Sequence, residues 1–223
     1  MNPALPFHIT ISRQLGSGGS ELGERIARRM KFAFMDRQIL DHACRELGMS
    51  EEELGHREER IQGFWTRMLE AFATGCPEYM PTLPPPRIIS DETLIDAEQR
   101  VLLRLAAQGP SVIVGRGGFH ALQGQACLLN VFVHAPRKFR IRRMIRYYGA
   151  ADERAAEEMI DRSDADRERY IAHLSGGSWY DVRQYHLAID MALVGFDAAE
   201  QIIVSLAERL RCGQPGGSGH DAA

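Results

Sequence analysis

Lysine is what this chain most lacks. Of its 27 basic residues, all but Lys31 and Lys138 are arginine. Any anion site built from side chains must therefore be built from guanidinium groups, whose planar fork suits bidentate phosphate binding. Cysteine is sparse and unpaired in sequence. Cys44, Cys76, Cys127 and Cys212 are scattered with no C-x-x-C spacing. That excludes a zinc ribbon or a disulfide framework and fits a reducing, cytoplasmic setting. Cys127, inside an apolar run, reads as a small core residue. No apolar run approaches the roughly 20 residues that cross a bilayer. The N-terminus lacks a basic segment followed by an apolar one, so no secretion signal is expected. Charge excess is missing too: the net value of −3 gives no reason to expect a nucleic-acid partner. The eight histidines show no ligand spacing, and no Ser-His-Asp set can be inferred. What remains is an ordinary globular composition, 44% hydrophobic and 26% charged, over 223 residues, enough for one large domain.

The most informative stretch lies near the start. A strand-like run, Phe7 to Ile11, enters a glycine-rich turn, and an amphipathic helix leaves it with Leu22, Ile26 and Met30 on one face. This is the layout of a phosphate-binding loop, where backbone amides and a helix N-terminus face an anion. The standard pattern is G-x-x-x-x-G-K-[ST]. Gly18 and Ser20 fit it. Arg13 stands at the first glycine, and Gly19 stands where the lysine belongs. Gly16, Gly18 and Gly19 let the backbone curl around an anion, and the Ser20 hydroxyl suits Mg²⁺. Without the lysine, Arg13 is the nearest cation able to reach a phosphate. The alternative is a tight strand-to-helix turn with no ligand.

Further apolar runs at Phe32–Met35, Ser111–Val114, Leu128–Val133 and Tyr185–Ile189 read as strands. Periodic segments at 20–30, 37–47, 50–74, 90–105, 136–148, 152–174 and 197–210 read as helices. Five strands alternating with helices predict βαβ units and a parallel sheet covered on both faces. Cys76 to Pro86 holds five prolines and reads as a loop. The glycine-rich tail, 213–223, reads as disordered.

Other candidates follow from position. Arg116 sits between glycines at the end of the third strand, where α/β sheets bind ligands. It reads equally as an Arg exposed on a turn. Asp36 ends the second strand and suits either substrate binding or a helix N-cap. Arg140 and Arg143 lie in a basic helix and could point towards phosphates at the sheet's edge. The rest of that run reads as a solvated face. Arg162, Asp166 and Arg169 fall on one helical face at i, i+4 and i+7. Taken alone they read as a surface ion pair. Trp65 and Trp179 read as packing residues.

Four segments together resemble the cytidylate-kinase-like proteins, a divergent branch of the P-loop nucleoside monophosphate kinases. They are Thr10-Ile-Ser-Arg-Gln-Leu-Gly-Ser-Gly-Gly-Ser-Glu-Leu-Gly-Glu, Phe34-Met-Asp-Arg, Val112-Ile-Val-Gly-Arg-Gly and the Arg162–Arg169 helix. The resemblance runs from about residue 7 to 210. It implies a three-layer α/β fold with a five-stranded parallel sheet in one domain, 1–212. A helical substrate-binding insert at about 50–108 and a helical lid at about 137–180 come with it. In that branch the loop lysine is commonly absent. Authentic cytidylate kinases read Gly-Arg-Asp after strand three, and the Arg holds the CMP phosphate. Arg116 matches it, while Gly117 replaces the Asp. Their lid reads Arg-Asp-x-x-Asp-x-x-Arg. Arg162, Asp166 and Arg169 match it, while Ser163 replaces the first Asp. The resemblance implies ATP and Mg²⁺, with loop residues Gly16, Ser17, Gly18, Gly19 and Ser20 on the ATP phosphates. Arg13, Arg162, Asp166 and Arg169 become the catalytic candidates. Asp36, Arg116, Arg140 and Arg143 become the substrate-binding candidates. The expected reaction is phosphoryl transfer to CMP or dCMP. The alternatives are a nucleotide-binding regulator without turnover, or a kinase for another small acceptor. Neither a membrane nor nucleic acid is expected as a partner.

Overall fold

The structure, a computed structural model, describes residues 6–36, 91–124 and 127–212. The expected helices at 37–47 and 50–74, the proline-rich loop, Trp65 and the tail lie outside the described residues. The described chain falls into two units, one carrying residues 6–36 and 102–212, the other ending at Val101. Everything below concerns the first unit.

Its strands are β1 (His8–Arg13), β2 (Ala33–Met35), β3 (Ser111–Val114), β4 (Leu128–His134) and β5 (Leu187–Asp190). Among the described residues the helices are α1 (Gly19–Met30), α2 (Asp91–Ala106), α3 (Gly118–Ala121), α4 (Arg137–Tyr148), α5 (Glu153–Ser175) and α6 (Met191–Cys212). Helix α2 crosses the division between the units. The strands form one sheet in the order β2-β3-β1-β4-β5, with every pairing parallel. The α/β, five-stranded parallel expectation is met. Strand β1 is central, so it is buried on both faces.

Alternation along β1 separates two chemistries. Ile9 and Ile11 join Leu22 and Ile26 of α1, Val112, Val114, Leu129, Val131 and Ile203 in the main core. The opposite side of β1 is polar. His8 Nδ1 lies 2.8 Å from Ser111 Oγ, and the Thr10 hydroxyl donates to Asn130 Oδ1 at 2.6 Å. Cys127 is buried in the main core, as expected. A smaller aromatic cluster holds Phe119, Phe132 and Trp179, with Tyr185 packed against it. Trp179 is the packing residue its sequence context suggested.

Several boundaries differ from the sequence reading. The last helix begins at Met191 rather than 197, with a non-helical Gly195 inside it. Strand β1 continues to Arg13, because it pairs with β4 as far as Arg13 opposite Val133. Strand β5 starts at Leu187, because Val182–Gln184 form a 3₁₀ turn and the Tyr185 N–H closes it on the Val182 carbonyl. Asp152 caps α5 by accepting from the Ala155 N–H at 2.7 Å. No helix among the described residues is long and apolar enough to cross a membrane.

Candidate functional site

The site gathers at the carboxyl ends of β1 and β3. Residues 14–18 make the turn between β1 and α1. Gly16 and Gly18 take positive φ values of 78° and 92°, which only glycine adopts cheaply. The turn closes when the Ser17 N–H and the Ser17 hydroxyl both donate to the Gln14 carbonyl, at 3.2 and 2.8 Å. Gly18 is the N-cap of α1, and no side chain caps that end. The first amides of α1 therefore face outward as an anion-binding end. Helix α4 backs the loop: a Cβ at Gly16 would lie 3.0 Å from the Arg140 carbonyl oxygen. Phe196 of α6 backs it too, 2.6 Å from a Cβ at Gly18.

Arg13 occupies the centre. Its Nε donates to Ser20 Oγ at 3.4 Å, and its Nη2 pairs with Asp36 at 3.3 Å. A Cβ at Gly19 would fall 2.5 Å from Arg13 Cβ, and one at Gly115 would fall 2.0 Å from Arg13 Nη1. The arginine side chain thus crosses the volume where a residue-19 side chain would begin. Its guanidinium lies directly against the glycine that ends β3. Burial pushes the Arg13 pKa down, Asp36 opposes that, and the Arg116 guanidinium adds to it. An arginine stays protonated regardless, so this is a positive charge held short of its hydration.

Arg116 stands in a strained turn. Gly115, Arg116 and Gly117 take φ values of 73°, 54° and 64°, three left-handed residues in succession. The turn is held by Gly115 N–H on the Ile11 carbonyl and Gly118 N–H on the Gly115 carbonyl. A left-handed non-glycine residue costs on the order of 1 kcal/mol, and such strain clusters at functional sites.

The long helix α5 contributes residues that the sequence reading passed over. Asp164 accepts from the Leu15 N–H of the loop at 3.0 Å and from Arg140 Nη1 at 2.5 Å. Arg167 donates to Ser163 Oγ at 2.6 Å and to Asp164 at 3.4 Å. Burial, with Arg13 next, pushes the Arg167 pKa down to about 10, and Asp164 opposes the shift. Arg162, Asp166 and Arg169 are exposed on the other side of α5, with Arg169 paired to Asp166. As placed, these three do not face the loop. The signal that could have separated the two sets was the phase of the apolar stripe. Ala156, Ile160, Ser163, Asp164 and Ile171 are buried, and Arg167 continues that stripe. Positions 162, 166 and 169 fall about half a turn away.

Arg140 is 8% exposed in its side chain, locked between the loop and Asp164. Arg143 pairs with Glu21 at 2.9 Å and stacks over Tyr147 and Phe196 at 5.0 and 5.1 Å. The structure therefore brings together Arg13, Asp36, Arg116 and Arg140 around residues 16–20, with Arg143 at the edge beside Gly18. No cluster of three metal-ligating side chains occurs among the described residues.

The profile of the cytidylate kinase-like family matches residues 8–193. The chain belongs to the cytidylate kinase-like family. Curated proteins offer no match to it. An uncharacterized protein from Eubacterium ventriosum is similar in structure, with a TM-score of 0.65 and 19% identity, over 91% of this chain and 98% of that one. Shikimate kinase from Bacteroides thetaiotaomicron has a TM-score of 0.51 and 13% identity, over 91% of this chain and 98% of its own. At those identities the likeness is one of fold. The family's match takes in β1, the glycine loop, Arg116 and all of α5.

Proposed function

We propose that the protein is an ATP-dependent phosphotransferase acting on a nucleoside monophosphate, with CMP or dCMP as the first candidates. The observation that carries this reading is Arg13. Its side chain fills the space beside Gly19 and delivers a guanidinium to the mouth of an uncapped glycine loop.

The residues suit an anion of high charge. The first amides of α1, from Gly19 onward, have no side-chain cap, and the dipole of that helix favours negative charge there. Arg13 supplies the cation that a loop lysine gives elsewhere. Bound ATP would bring Mg²⁺, and the Ser20 hydroxyl at the start of α1 would ligate it. Phosphoryl transfer needs in-line positioning and cancellation of charge on the transferring oxygens. Arg116, on a turn whose conformation is fixed by backbone hydrogen bonds, holds the acceptor phosphate. Asp36 keeps Arg13 oriented through its ion pair. Arg140 stiffens the loop by donating to the Leu15 carbonyl at 3.4 Å. Cytoplasmic location and nucleotide partners accompany this reading.

The test is ADP formation from MgATP, followed with and without CMP, dCMP, UMP, AMP and GMP. Acceptor-dependent ADP with CMP or dCMP is expected. Arg116→Ala should lose most acceptor phosphorylation while keeping ATP binding. Saturable ATP binding with no turnover on any acceptor would replace this reading with that of a nucleotide-binding regulator.

A further inference from the structure

Helix α5 carries two sets of charged residues in one eight-residue segment, and they face opposite ways. Arg162, Asp166 and Arg169 are exposed, and the last two pair with each other. An exposed i,i+3 pair of this kind contributes a few tenths of a kcal/mol at most. Ser163, Asp164 and Arg167 face the phosphate loop. Asp164 bonds the Leu15 amide of the loop itself and the Arg140 guanidinium on α4. Its carboxylate therefore ties α5, α4 and the loop together at one point. Arg167 leans on that carboxylate and on the Ser163 hydroxyl. Its side chain is 25% exposed.

Three guanidiniums, those of Arg13, Arg116 and Arg167, repel one another across the site. Like charges are held close at a cost unless an anion joins them. Arg13 ends strand β1, and Arg116 sits in the turn that follows β3. The third comes from α5 and bonds Asp164 and Ser163 there.

We infer that Arg167 is the α5 cation that contacts the transferring phosphoryl group, and that Asp164 is its positioning residue, coupling α5 to the loop. This rests on the nucleotide-phosphotransferase reading above and departs from it in the residue assigned. Arg162 and Arg169 then have no direct part in phosphate binding.

The test needs no acceptor. The affinities of full-length protein for MgADP and for the Mg²⁺ complex of the non-hydrolysable imido analogue of ATP are compared by calorimetry. Wild type should prefer the triphosphate analogue. Arg167→Ala should lose that preference by about 10- to 100-fold while keeping its MgADP affinity, as expected for one charge-assisted contact to the terminal phosphoryl. Arg167→Lys should restore part of it. Asp164→Asn should act in the same direction, and the Asp164→Asn/Arg167→Ala double variant should be no worse than Arg167→Ala alone. Arg162→Ala and Arg169→Ala should match wild type. Retained MgADP binding shows that each variant is folded. An unchanged preference in Arg167→Ala overturns the inference and leaves the kinase reading standing. So does an equal loss of both ligands in Asp164→Asn, which would make Asp164 merely structural. Failure of wild-type protein to bind either nucleotide overturns both.

Discussion

The Cβ that Gly19 does not have would lie 2.5 Å from the Cβ of Arg13. Real Cβ atoms do not approach so closely, and Arg13 Cβ is anchored to a central strand and cannot swing away. Arg13 and a side chain at 19 are thus mutually exclusive. The departures from the lysine-bearing pattern at positions 13 and 19 are sterically coupled, the Arg13 stem taking the space that a side chain at 19 would need.

That exclusion has a measurable cost. Gly19→Ala should destabilise the protein by about 1–3 kcal/mol, the range for overpacking a filled site. In Arg13→Gly the Cβ is removed along with the rest of the stem, and the same Gly19→Ala change should cost much less. Denaturant unfolding of the four proteins in the cycle checks this. Additive effects would show that the two positions do not compete for space.

His8 gives the fold a pH dependence of known sign. It is 2% exposed, and burial lowers its pKa. In the unfolded chain it binds a proton near pH 6.5. Below that pH the unfolded state takes up a proton that the folded state resists, so stability falls with acidification. Above about pH 6.5 the group contributes no slope. Melting temperatures from pH 7.5 to 5 should therefore drop more steeply for wild type than for His8→Gln. Parallel curves would mean that His8 is protonated in place.

Trp179 anchors the chain that returns from α5 to the sheet. Its ring packs edge-on to Phe132 at 5.3 Å, and the Tyr185 hydroxyl donates to its carbonyl at 2.8 Å. Trp179→Ala should cost about 3–5 kcal/mol, the range for emptying a buried aromatic site. Because Asp164 and Arg167 sit on the helix it anchors, nucleotide affinity should fall in parallel when measured near the melting range. An unaffected melting temperature would refute the anchoring role.

Much of this was legible in the sequence, and for physical reasons. Phe7 to Ile11 and Leu128 to Val133 read as strands because Ile9, Ile11, Leu129, Val131 and Val133 recur with a period of two; His8, Thr10 and Asn130 interrupt the apolar runs and are buried in hydrogen bonds across the sheet. The glycine loop was legible because positive φ demands particular residues at Gly16 and Gly18. Arg13 could be named as the nearest cation, but not its steric relation to Gly19, which requires two backbones to be placed in space. The α5 charges show the limit most clearly. Arg162, Asp166 and Arg169 have good helical spacing, and so have Ser163, Asp164 and Arg167. Spacing alone does not choose between two faces of one helix. Burial of Ala156, Ile160 and Ile171 does, because it fixes which side of α5 meets the rest of the fold. The start of β5 was missed because Tyr185, read as strand from its aromatic character, instead closes the 3₁₀ turn at Val182–Gln184.

The most direct test of the central claim, that Arg13 stands in for the loop lysine, is the MgATP affinity of three proteins: wild type, Arg13→Gly and Arg13→Gly/Gly19→Lys. Arg13→Gly should bind about 10- to 100-fold more weakly, the loss expected for one charge-assisted phosphate contact. The double variant, with the stem gone and a lysine where the standard pattern has it, should recover most of that loss. Binding by Arg13→Gly at wild-type strength, or no recovery in a folded double variant, would contradict the account.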